Sequence, residues 1–111
     1  MKLSFTKSLT VILTLLALTF SAIGVTPAHA AGLVVNSLSD TTAHDGICTL
    51  REAITNANNN LATNADCAAG SGADTITFSV SGTILLFSPL NVTDAAGLTI
   101  DGTGHTVTIS Q

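Results

Sequence analysis

The chain has 111 residues, three basic and seven acidic side chains, a formal charge of −4 at neutral pH, and neither Trp nor Tyr. That length holds one small domain. So few cations exclude neutralisation of a phosphate backbone, so no nucleic-acid partner is expected, and they disfavour anionic membrane surfaces for the same reason.

Lys2 and Lys7 precede an apolar run from Leu9 to Ile23, and Ala28-His29-Ala30 follows it as an A-x-A site. This pattern is that of a secretory signal peptide over residues 1–30, with cleavage after Ala30. An uncleaved anchor is the alternative, which the cleavage site disfavours, so no membrane insertion is expected after processing. The remaining 81 residues keep one base, Arg51, against all seven acids: Asp40, Asp45, Glu52, Asp66, Asp74, Asp94 and Asp101, a formal charge of −6. A secreted or cell-surface location follows.

Leu33-Val34-Val35 reads as a first strand. Asp40 to Gly46 is a turn-rich connector in which Asp40 and Asp45 are candidate calcium ligands. The alternation of oxygen ligands ending in Glu is missing, so Asp45-Gly46 is read as a tight turn. Leu50, Ala53, Ile54 and Ala57 fall at i, i+3, i+4 and i+7, one stripe of a helix over about residues 49–58. Thr49 and Glu52 have capping-box spacing, Asn58 to Asn60 supply a left-handed stop, and Arg51 is expected to pair with an acidic neighbour near the helix start. Two cysteines in an exported chain predict a disulfide, Cys48–Cys67, across the helix and the Asn/Ala-rich surface loop behind it. A metal pair completed by His44 is the rival, and it falls short of four ligands. No cofactor is expected.

From Asp74 the apolar period becomes two, through Ile76, Phe78 and Val80, and then Ile84 to Phe87 form a continuous apolar run. A shift of 22 residues superposes Ile76 on Leu98, Phe78 on Ile100, Gly82 on Gly104, Leu85 on Val107 and Phe87 on Ile109. A fixed period of this kind is the mark of a solenoid, whose repeats stack into inward ladders. The alternative is an antiparallel β-meander plus helix, with Asp101-Gly102 as a hairpin turn and Ile100 opposite Thr106 or Val107.

The run Asp45-Gly46-Ile47-Cys48-Thr49-Leu50-Arg51-Glu52-Ala53-Ile54, with Ala57-Asn58 behind it, resembles the CSLREA domain, Thr49 standing where the family has Ser. Gly72 to Phe78, Gly82-Thr83-Ile84 and Leu98 to Gly102 match as well, so the resemblance runs from about Val34 to the end. It implies an exported bacterial surface protein and a mainly-β fold, a right-handed parallel β-helix of the pectate-lyase-like type behind a short capping α-helix. On this basis residues 31–73 form the cap, with Thr49, Leu50, Arg51, Glu52, Ala53 and Ile54 as its motif. Residues 74–111 form the first coils. Fewer than two periods are present where solenoids need about three, so a truncated design is expected.

The function expected is that of a non-catalytic capping module. A surface adhesin or glycan-binding module is the alternative, and a polysaccharide-active enzyme with its catalytic coils elsewhere is a third. Asp74, Asp94 and Asp101 are the acids available for glycosidase-like pairing, but each sits beside Gly or Ala at a strand edge, where turn aspartates belong. His105 has no triad partner in view, and the mature chain has no Lys for a lyase-type base. The partners expected are a second copy, through the C-terminal coil, or an extracellular glycan or cell-wall ligand.

Overall fold

Alternating and β-branched residues form five short strands, and the one amphipathic stripe forms the one helix among the described residues. A computed structural model describes residues 29–111; the expected signal peptide, up to residue 28, lies outside the described residues. The elements are β1 (Gly32–Val35), α1 (Leu50–Asn59), β2 (Asp74–Phe78), β3 (Gly82–Leu85), β4 (Leu98–Ile100) and β5 (Val107–Ser110). The described residues are mainly β with one helix, in two sheets ordered β1-β2-β4 and β3-β5, and neither sheet closes into a barrel.

Every strand pair is parallel. Leu33 stands opposite Ile76 and Val35 opposite Phe78; Ile76 in turn stands opposite Ile100, and Ile84 opposite Ile109. This overturns the antiparallel meander. Val107 lies beside Gly82, not Ile100, and Gly82 N donates to Thr106 O at 2.9 Å. In the stretch Asp101–His105 the chain turns from one sheet to the other instead of folding back on β4.

The step between neighbouring strands also differs from the 22-residue shift. It is 24 residues from Ile76 to Ile100 and 25 from Ile84 to Ile109. The two errors have different consequences, because strand side chains alternate faces with period two. An even discrepancy of two leaves Ile76 and Ile100 on one face. An odd discrepancy of three turns the β3 assignment over. Leu85 and Phe87 therefore point outward, 54% and 79% exposed, while Ile84 just before them is fully buried. Gly82 faces Val107 and has no counterpart in Gly104.

The core is Leu33, Val35, Leu50, Ala53, Ile54, Ile76, Phe78 and Ile84 together with both cysteines. Helix α1 contributes the predicted stripe and packs against β1 and β2. Between β1 and β2 the chain makes a long excursion, 43 residues from Leu33 to Ile76, that carries this helix and its loop. Gly82, at φ 144°, lies where a side chain would meet Leu38: an added Cβ would clash with Leu38 Cδ1.

Candidate functional site

The motif residues converge at the start of α1. Thr49 is the N-cap; its hydroxyl accepts from Glu52 N, and Glu52 Oε2 accepts from Thr49 N at 3.0 Å, completing the capping box. Two further bonds tie the box to the connector ahead of it. Thr49 Oγ1 donates to Thr41 O at 2.8 Å, and Ala43 N donates to Glu52 Oε1 at 2.9 Å. The helix ends at Asn60 in the left-handed conformation, φ 48°, as a run of Asn allows.

Arg51 forms a two-pronged pair with Asp40, Nε to Oδ1 at 2.8 Å and Nη2 to Oδ2 at 2.9 Å. The same guanidinium donates to Ser88 O and Pro89 O, and Asp40 Oδ2 accepts from Phe87 N at 2.8 Å. Three chain segments thus meet on one charge pair. The Arg51 hydrogen bond holds the Asp40 carboxyl below its ordinary range against the opposing effect of burial, with Phe87 N adding to the depression; Asp40 raises Arg51 in return. The expected acidic neighbour of Arg51 is therefore Asp40. This removes Asp40 from a calcium site. Asp45 is turned to its own loop, accepting from Ile47 N, and among the described residues no three acid, His or Cys side chains converge on a metal position.

Cys48 and Cys67 form the disulfide, with their Cα atoms 4.9 Å apart and both residues buried. Closing a loop of that size stabilises the fold by about 3 kcal/mol in the chain-entropy model. A second anchor of the Asn/Ala-rich loop was not foreseen. Asn56 is fully buried; its Nδ2 donates to Asn64 O and Ala68 O, both at 2.9 Å, and to Cys67 O at 3.4 Å, while its Oδ1 accepts from Asn64 N. The available clue was position: Asn56 follows Ala53 by three on the inward stripe. Asn58, expected only as part of the helix stop, has a longer reach. It donates to Asn91 O and accepts from Thr93 N and Asp94 N, so α1 is tied at both ends to the connector between β3 and β4.

Of the acids considered for catalysis, Asp94 and Asp101 lie in separate turns, whereas Asp74 is not the turn residue expected but the buried first residue of β2. Asp101 accepts from Thr103 Oγ1 and N, which hold its carboxyl below the ordinary range. Asp94 Oδ1 accepts from Ala96 N, and its other oxygen is buried without a partner. Asp74 accepts from Ala31 N and Ser71 N. His105 closes a turn through its backbone N to Gly102 O.

No protein-family model, curated protein or solved structure matches the chain. The geometry of the helix and its clamps is therefore the ground for a functional reading.

Proposed function

We propose that residues 31–73 are the capping module of an exported, cell-surface parallel β-helix protein of the CSLREA kind, and that residues 74–111 begin its coils. The module is non-catalytic and takes no cofactor. The observation that carries this reading is an asymmetry between the two ends of the strand ladders. Toward β1 the ladder is covered: Leu33 and Val35 are fully buried and α1 packs against the sheet. At β4 and β5 it is open, with Ile100 and Ile109, each 44% exposed, continuing the buried positions Ile76 and Ile84.

An open edge of parallel strands with apolar residues on its inner face fits one occupant, a further coil in the same register. The clamps on Arg51 and Asn58 support the same reading, since they fasten the helix to the connector that starts the next coil.

The test is a fusion. The chain is joined ahead of designed parallel coils whose inward residues continue the 24–25-residue step, and amide exchange is followed strand by strand. A cap predicts that β4 and β5 amides gain protection and that the fusion unfolds in one transition. Coils that melt separately, with β4 and β5 no better protected than before, would refute it.

A further inference from the structure

Asp74 opens β2 with a carboxylate buried to 1% exposure. Its Oδ1 accepts from the backbone N of Ala31 at 3.0 Å and from Ser71 N at 2.9 Å, and its Oδ2 from Ser71 N at 3.2 Å. A buried carboxylate is costly unless a cation pairs with it. Among the described residues no side-chain cation does so. The one ion pair there is Arg51 with Asp40, and from Ala31 onward the chain has no lysine and no second arginine.

Ala31 is the residue that follows the expected cleavage point. Its carbonyl accepts from Thr75 N at 2.9 Å and its side chain packs against the core, whereas His29 and Ala30 are exposed. Hydrolysis of the Ala30–Ala31 amide by the exporting cell's signal peptidase adds water across the bond. Ala30 leaves as a carboxylate, and Ala31 keeps a free amine, which takes a further proton from solvent because an α-amine has a pKa of about 7.7–8.0. The group already at hydrogen-bond distance from Asp74 thereby changes from an amide to an ammonium.

We propose that the Asp74 carboxylate is the receptor for the α-ammonium of Ala31, an ion pair that exists only after processing and that ties completion of the fold to removal of the leader. The proposal rests on the export reading above. It makes the first mature residue a structural part of the ladder, held on one side by Asp74 and on the other by Thr75.

The absence of lysine makes the pair directly measurable, because the α-amine is then the sole primary amine of the mature chain. The full chain is produced with its own leader in an exporting bacterium, and its start is read by intact mass. Acetylation by an N-hydroxysuccinimide ester at pH 7 is then followed by mass. The wild type is compared with Asp74→Asn and with a chain carrying one Gly inserted between Ala30 and Ala31. The folded wild type is expected to label at least about tenfold more slowly than either variant, as for a group that reacts only when its surroundings open. All three should label alike in urea. The inserted chain should also melt several degrees lower, and Asp74→Asn should cost less on that background than on the wild type.

Labelling of the folded wild type as fast as the inserted chain would overturn the pair, even if Asp74→Asn does not fold. A start other than Ala31 would overturn the cleavage point instead. In that event a chain released from a fusion so as to begin at Ala31 tests the pair alone, slow labelling upholding it and fast labelling rejecting it.

Discussion

Replacing Arg51 with Ala would remove both prongs of the pair with Asp40 and the donors to Ser88 O and Pro89 O. The Asp40 side chain, 1% exposed, would keep only Phe87 N. Breaking a buried pair from one side costs about 3–5 kcal/mol, because the remaining charge stays desolvated. The Arg51 side chain is 20% exposed, so water enters more readily than in that limit, and a loss of roughly 2–4 kcal/mol is expected. A domain of this size has about 4–12 kcal/mol in total, so the variant should still fold but with a midpoint plainly lowered in urea. Asp40→Ala removes the stranded charge as well, and the double variant should be little worse than Arg51→Ala alone. The pH dependence has a definite sign. Asp40 is depressed in the fold, so its contribution is present above the unfolded value of about 3.9 and is lost as pH falls through the lower folded value. The difference between wild type and Arg51→Ala should accordingly narrow toward pH 2. Additive single effects, each under about 1 kcal/mol, would mean an ordinary surface pair and refute the clamp.

Ile54→Asp puts an unpaired charge at a position 3% exposed in the core and should cost several kcal/mol, seen as a large drop in melting temperature. Asn56→Ala leaves the carbonyl of Ala68 and the amide of Asn64 without their partner, while Asn64 O keeps only Cys67 N; a loss of about 2–4 kcal/mol is expected, with faster exchange confined to the loop between α1 and β2. Cys48→Ser with Cys67→Ser should lower stability by about 3 kcal/mol, and thiol titration of the wild type should find no free cysteine.

The helix was legible because several local signals agreed. The stripe, the capping box and the Asn stop all lie within a dozen residues and need no distant partner. The disulfide was legible from the cysteine count together with the expectation of export. The sheets were legible only in kind: the alternation after Asp74 predicted strands, while their register depends on connector lengths that sequence similarity measures poorly. Pairing Leu85 with Val107 was plausible in composition, yet an offset wrong by three put Leu85 and Phe87 on the wrong side of the strand. The long-range contacts of Asp40, Asn56 and Asn58 escaped for another reason. Each acts through backbone atoms remote in sequence, Phe87 for Asp40 and Asn91 to Asp94 for Asn58, and a polar residue in a turn or at a helix end carries no mark of such a partner.

The staples from α1 to the connector between β3 and β4 also set how the molecule would bear load. Parallel strands stacked side by side yield to a pull along the stack one row at a time, each row opening like a zipper. Here the row beyond β2 is reached through a connector gripped at Ser88 and Pro89 by one end of the helix and at Asn91 to Asp94 by the other. A tear that starts at β4 and β5 must therefore break both grips before it reaches the rows beneath. That places the mechanical stop just before the disulfide-closed end.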